Sequence, residues 1–268
     1  MKDKTPEYFE TNRDTWNKKV EFHANSQMYN LEAFKNGKSS LMAYEINSVG
    51  NVNGKSLLHL QCHFGLDTLS WSRRGANCLG VDFSDAGIKK AKQLNEELNL
   101  NARFVQCNVL DTSHYVKEKF DIVFTSYGVI GWFPDLKPWG KMIAERLKPG
   151  ARFYMVEFHP IVWMFDYSRE PVEIIYGYMQ DEVIYEEYQG TYADSNSKIL
   201  SKEYGWNHGL SEVINALIDA GLNIEFLNEH HESPYDVLPN LVRTKSGMFS
   251  NKNLLYPLIF EIMATKTL

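Results

Sequence analysis

The chain has 268 residues, 44% of them hydrophobic and 23% charged, with a formal net charge of −6. That length holds one large domain or a core with an elaboration, and the composition is ordinary for a soluble globular protein. The acidic balance argues against a face built for nucleic-acid backbones. The polar opening MKDKTPEYFE is unlike a secretory signal, and the most apolar segment, Ile122 to Phe133, is too short and interrupted to span a bilayer. The expectation is a cytoplasmic protein that binds neither nucleic acid nor membrane. Cys62, Cys78 and Cys107 form no CxxC pair and no metal-ligand spacing, so reduced, buried thiols and no metal site are expected.

The first fifty residues read as a helical cap. Trp16, Val20 and His23 share a helical face by spacing, and Ser39 is placed to cap a second helix carrying Leu41, Met42, Tyr44 and Ile46. From Lys55 a regular alternation begins. Ser56–Leu60 reads as a buried strand, Leu66–Arg74 as a short helix with Gly75 as its stop, and Asn77–Val81 as a second strand. Ser84 is placed to cap a helix whose apolar face is Ile88, Ala91, Leu94 and Leu98. Arg103–Cys107 and Phe120–Thr125 read as strands. A helix over about 136–147 ends at the turn Lys148-Pro149-Gly150, and Ala151–Phe158 is a fifth strand.

Strands alternating with helices in this way predict a parallel sheet with helices on both faces. Ligands of such a sheet bind beyond the carboxyl ends of the strands, here just after Leu60, Val81, Cys107, Thr125 and Glu157. After Pro160 the pattern changes. Residues 161–205, with Glu173-Ile174-Ile175-Tyr176 and Val183-Ile184-Tyr185, read as antiparallel strands inserted as a cap. A helix from about Leu210 follows, with Val213, Ile214, Leu217 and Ile218 on one face and Gly221 as its stop. Asn223–Asn228 and Leu255–Ala264 then close a seven-stranded sheet as a hairpin. The division expected is a cap over 1–50 and an α/β domain over 51–268, with the insert at about 161–205.

Leu57-Leu58-His59-Leu60-Gln61-Cys62-His63-Phe64-Gly65 resembles the first motif of class I, Rossmann-like S-adenosylmethionine-dependent methyltransferases of the small-molecule type. Gly80-Val81-Asp82-Phe83-Ser84 resembles their acidic second-strand end, and Phe104-Val105-Gln106-Cys107-Asn108-Val109 their adenine-binding strand end. Phe120-Asp121-Ile122-Val123-Phe124 and Leu147-Lys148-Pro149-Gly150 also fit. The likeness runs in order over residues 55–158 and more loosely over 205–265. It departs in the first motif, where His59 replaces an acid and Gln61 and His63 replace glycines, leaving Gly65.

The resemblance implies S-adenosylmethionine as cofactor, a small-molecule acceptor with an oxygen or nitrogen nucleophile, and a helical lid over the site. A carboxylate at Asp82 suits the two hydroxyls of an adenosine ribose, in a dinucleotide or in S-adenosylmethionine alike. A loop reading Gln-Cys-His-Phe-Gly is poorly suited to the close backbone approach that a pyrophosphate demands. The cofactor-binding residues expected are Gln61, Cys62, His63, Gly65, Asp82, Phe83, Asn108, Val109, Ser126, Tyr127 and Tyr29. His159 and Tyr127 are the candidate catalytic residues, the histidine as a base and the aromatic ring beside a sulfonium. His23 and His208 stand beside His159 as candidates, each with a plain structural alternative. Trp132, Phe133, Trp163, Phe165, Tyr167 and Trp206 point to an aromatic acceptor pocket between the N-terminal helices and the insert. An NAD-type oxidoreductase and a non-catalytic S-adenosylmethionine-binding relative stay open as alternatives. Ser126-Tyr127-Gly128-Val129 stands where a nucleic-acid methyltransferase has Asn-Pro-Pro-Tyr. The acceptor and the oligomeric state, monomer or homodimer, are left open.

Overall fold

The computed structural model describes residues 4–166, 169, 171–179, 182–236, 238–239, 241–251 and 256–267. Three helices come first: α1 (Thr5–Asn25), α2 (Leu31–Lys35) and α3 (Ala43–Val49). The alternating core follows as β1 (Ser56–Leu60), α4 (Leu66–Arg73), β2 (Asn77–Asp82), α5 (Asp85–Glu97), β3 (Arg103–Gln106), α6 (Thr112–Tyr115), β4 (Phe120–Ser126), α7 (Lys137–Arg146) and β5 (Leu147–Phe158). Beyond it lie β6 (Phe165–Asp166), β7 (Glu173–Ile174), β8 (Ile184–Gln189), β9 (Leu200–Gly205), α8 (Leu210–Asp219), β10 (Leu222–His230), β11 (Glu232–Ser233), β12 (Leu241–Arg243), β13 (Phe249–Asn251) and β14 (Ile259–Lys266).

The main sheet has seven strands in the order β10-β14-β5-β4-β1-β2-β3. β5, β4, β1, β2 and β3 run parallel, and β14 is antiparallel to both of its neighbours. Side chains alternate between two cores. Leu58, Leu60, Val123, Phe153 and Met155 face α7 and α8, whereas Leu57, Ile122, Phe124, Tyr154 and Val156 face α4 and α5. Gly140 lets α7 approach α8, because a Cβ there would stand 2.2 Å from the Ala216 carbonyl oxygen. Both faces are therefore covered, as near-continuous apolar strands require.

The expected doubly wound sheet and its antiparallel closing pair are present, and the insert is antiparallel: β6 pairs with β7 and β8 with β9. Several boundaries differ. The helix expected after Ser39 is α3 and begins at Ala43, because the Glu45 carboxylate accepts the Met42 N–H at 2.8 Å, while Ser39 Oγ accepts only the Leu41 N–H; the short α2 before it was not expected. Lys148-Pro149-Gly150 bulges within β5, since Leu147 already pairs with Phe120 and Arg152 with Ile122. Ile218 is 51% exposed, and Ala216 takes its expected place in the core. Leu255 and Tyr167 lie outside the described residues. The small sheet β11-β13-β12, between β10 and β14, is not foreshadowed by any sequence pattern.

The N-terminal helix is fastened in place. Asn12 donates to the Tyr204 carbonyl and accepts its N–H, both at 2.8 Å, and Thr15 donates to the Lys202 carbonyl. These bonds satisfy the open edge of β9. Asn17 Oδ1 accepts Ser84 Oγ at 2.7 Å and the Ala86 N–H at the start of α5.

Candidate functional site

The loop after β1 is wound by three residues in left-handed conformations: Gln61 (φ 51°), His63 (φ 51°) and Gly65 (φ 84°). For residues with a Cβ that conformation costs on the order of 1 kcal/mol each. Bonds at both side chains offset the cost. Gln61 Nε2 donates to the Val129 carbonyl at 2.8 Å, and His63 Nε2 lies 3.0 Å from His23 Nδ1. Gly65 cannot be replaced so easily, because a Cβ would stand 2.8 Å from Phe104 and 2.9 Å from Ala91. Its constraint comes from α5 and β3 packed beneath the loop.

Asp82 closes β2 and ties the loop to it. One carboxylate oxygen accepts the His63 N–H and the other the Ser84 N–H, both at 2.8 Å. Burial pushes its pKa up to about 6 against these bonds. Phe83 follows, its carbonyl bonded by Gln106. After β3, Asn108 accepts the Leu110 N–H and sets Val109 in the wall. After β4, Tyr127 has φ 33° and Gly128 φ 74°. The buried Glu157 carboxylate accepts the N–H groups of Gly128, Val129 and Ile130 and fixes that loop.

These strand ends surround one cavity, roofed by the N-terminal segment through Phe9, Trp16 and Tyr29 and by Tyr192 and Tyr235. The roof meets the floor through a polar chain. Tyr29 and Tyr192 share a hydroxyl–hydroxyl bond of 2.5 Å, and Tyr192 lies 3.4 Å from His23, which bonds His63. Burial, and the nearby Lys19 charge, hold His23 down at about 3 and His63 well below the usual histidine range. Both rings are therefore neutral near pH 7. Among the described residues, two buried polar atoms in the cavity wall have no hydrogen-bond partner, Gln61 Oε1 and His63 Nδ1, while the Tyr127 hydroxyl faces the buried Glu45.

A family model described as a methyltransferase domain matches residues 57–150. The chain is 30% identical over 103 residues to a ubiquinone biosynthesis O-methyltransferase of Coxiella burnetii, a stretch that spans 38% of this chain and 43% of that relative. The chain thus spans less than half the length of that curated relative. It superposes with TM-score 0.58 on an S-adenosylmethionine-dependent methyltransferase from Mesorhizobium loti, covering 87% of this chain and 100% of the other at 19% identity. A putative S-adenosylmethionine-dependent methyltransferase from Listeria monocytogenes superposes with TM-score 0.59 at 16% identity, over 88% and 100% of the two chains. The chain has the class I methyltransferase fold.

In this methyltransferase fold the residues singled out from the sequence largely converge. Gln61, Cys62, His63, Gly65, Asp82, Phe83, Asn108, Val109, Ser126, Tyr127 and Tyr29 all line the cavity. His159 is the exception. It is buried outside the cavity wall, with Nε2 2.9 Å from Glu229 and Nδ1 accepting the Ile161 N–H. Its place after β5 put it on the right edge of the sheet, but these two bonds turn it to capping the turn that follows. His208 is likewise structural, donating from Nε2 to the Phe133 carbonyl at 2.7 Å. Of the aromatic candidates, Trp132 and Phe133 reach the cavity. Trp163 is 43% exposed, Phe165 stacks on Tyr256, and Trp206 is buried beside Tyr8. Among the described residues the insert gives the cavity only Tyr192.

Asp67, Tyr192 and Tyr235 line the cavity without having been singled out from the sequence. An acid in the first turn of a helix reads as a complement to the helix dipole. Tyr192 and Tyr235 sit in segments whose folding over the site no local pattern announces. His59, which stands in place of the acid of the first motif, is neutral: its Nδ1 lies 2.7 Å from Thr68 Oγ1, and burial depresses its pKa to about 3.

Proposed function

We propose that this protein transfers a methyl group from S-adenosylmethionine to a small-molecule acceptor at the cavity above β1, β2 and β4. The carrying observation is Asp82, a buried carboxylate held by backbone N–H groups in the cavity wall at the end of β2. The residues fit the cofactor. Asp82 is suited to ribose hydroxyls, and the unpartnered Gln61 and His63 atoms are polar groups that a polar ligand would satisfy. Gln61 and His63 fill the loop where a dinucleotide's pyrophosphate needs bare backbone, which speaks against the NAD reading.

When bound, S-adenosylmethionine supplies an activated methyl carbon for in-line displacement. The chain's own residues orient and desolvate. Asp82, Phe83, Asn108 and Val109 would hold the adenosine, and Gln61, His63, Ser126 and Tyr127 the other end. Tyr29 and Tyr192 close the roof against water. Phe9, Trp16, Trp132, Phe133 and Tyr235 give the acceptor an aromatic enclosure, suited to a ring-bearing or apolar molecule. The relative's name, an O-methyltransferase, supports an oxygen nucleophile.

Calorimetric titration tests this. One-to-one binding of S-adenosylhomocysteine with no binding of NAD is the expected result, and the reverse preference would overturn the proposal. Labelled methyl should then pass from S-adenosylmethionine into the small-molecule fraction of a cell extract. Binding without any transfer would leave a non-catalytic relative.

A further inference from the structure

The cavity wall holds two carboxylates among the described residues, Asp82 and Asp67, and the proposed cofactor chemistry gives a role to only the first. Asp67 lies in the first turn of α4, two residues beyond Gly65. Its Oδ2 accepts Ser126 Oγ at 3.1 Å, so it sits against the end of β4. Asp82 sits at the end of β2. In the sheet order β4-β1-β2, the two carboxylates therefore flank the β1 loop from opposite sides.

No lysine, arginine or histidine among the described residues pairs with Asp67. The groups that influence it are Ser126 and Ser40 hydroxyls and its own burial, which raises its pKa. Behind it, Glu45 is buried and pushed up to about 8, with the Asp67 charge as one cause after burial. Of the two neighbouring acids, Glu45 is the one held in its protonated form, and Asp67 is the one that lines the cavity and meets Ser126. Asp67 is partly buried in the cavity wall and held by a serine hydroxyl, so a cationic ligand group entering the cavity would meet its carboxylate directly. Meanwhile the first-motif position where similar sequences carry an acid holds the neutral His59.

Resting on the cofactor reading above, we propose that Asp67, with Ser126, is the counter-charge for the α-ammonium group of S-adenosylmethionine, in place of the acid absent at position 59. The adenosine then lies toward Asp82, the amino-acid end toward Asp67, and the sulfur over the β1 loop between them. The ligand's ammonium thereby gives Asp67 a cationic partner.

Two ligands separate this idea from the cofactor reading itself. S-adenosylhomocysteine carries the ammonium, and 5′-methylthioadenosine lacks the whole amino-acid end. In Asp67→Asn, S-adenosylhomocysteine should bind about 10- to 100-fold more weakly, the range for a hydrogen bond to a charged group, with methylthioadenosine unchanged. The desamino analogue of S-adenosylhomocysteine should lose the same factor on the wild type and nothing further on Asp67→Asn. Unchanged S-adenosylhomocysteine affinity in the variant would overturn the proposal. So would an equal loss for both ligands, which would make Asp67 a support of the fold. If the wild type binds neither ligand, the cofactor reading itself falls.

Discussion

At Asp82 the structure makes a claim about protons as well as position. Its folded-state pKa is about 6, against an ordinary carboxyl value of 3.8. Between those values the folded protein holds more protons than the unfolded chain, so this group's contribution to stability falls as pH rises through that window. Ligand binding has the opposite sign, because ribose hydroxyls donate to the ionised carboxylate. S-adenosylhomocysteine should therefore bind more weakly at pH 5 than at pH 7, by up to about tenfold. In Asp82→Asn the part of this pH dependence due to Asp82 should vanish, and affinity at pH 7 should fall by about 1.5–3 kcal/mol. Titrations at both pH values check this; a variant with wild-type affinity at pH 7 would remove Asp82 from the site. Asp82 was legible in the sequence because an acid ending the second strand of a βαβ unit has a geometric role. Asp67 was not, because an acid opening a helix has an ordinary explanation in the helix dipole. Gln61 and His63 could be seen to depart from glycine. That they keep the left-handed backbone through bonds to Val129 and His23 depends on residues far away in the chain.

The same distance separates α1 from its partners. The sequence showed a helical face of Trp16, Val20 and His23, and Val20 and His23 are buried. It could not show that Lys19 is buried too, with Nζ 2.5 Å from Glu203 and 5.1 Å from the Trp16 ring centroid, while the Tyr188 hydroxyl donates to the same carboxylate. The pairing depends on β9, more than 180 residues away. Lys19→Met should leave the buried Glu203 with the Tyr188 hydroxyl but without its cation and destabilise the protein by about 3–5 kcal/mol. The urea midpoint measures this, and an unchanged midpoint would contradict it. The N-terminal segment is thus a structural layer as well as a roof, so its removal should cost stability and binding together. His23 adds a pH effect of known sign. Its pKa is about 3 in the fold and 6.5 in a solvated, unfolded chain, so its contribution is complete above pH 6.5 and is lost progressively below it.

Over the whole molecule, the strands that were read well are those of the buried sheet. β1, β2 and β4 are apolar runs bounded by turn residues, and their burial on both faces leaves little freedom in where they start. The peripheral strands were harder. β11, β12 and β13 have two or three residues each, and such short strands carry no periodicity of their own. The insert's antiparallel character was readable from the short alternations over 173–176 and 183–185, but its side chains' destinations were not, and among the described residues only Tyr192 reaches the cavity. His159 followed the same logic: strand topology gave the correct edge, and the Glu229 contact decided the direction.

Everything proposed for this chain depends on the cavity flanked by Asp82 and Asp67 receiving S-adenosylmethionine. A crystal structure of the full chain with S-adenosylhomocysteine at saturating concentration decides whether it does. Density for the ligand is expected in that cavity, with the ribose hydroxyls on the Asp82 carboxylate and the amino group toward Asp67 and Ser126. Ligand density elsewhere on the protein, or an unchanged cavity in crystals soaked well above the dissociation constant, would contradict it.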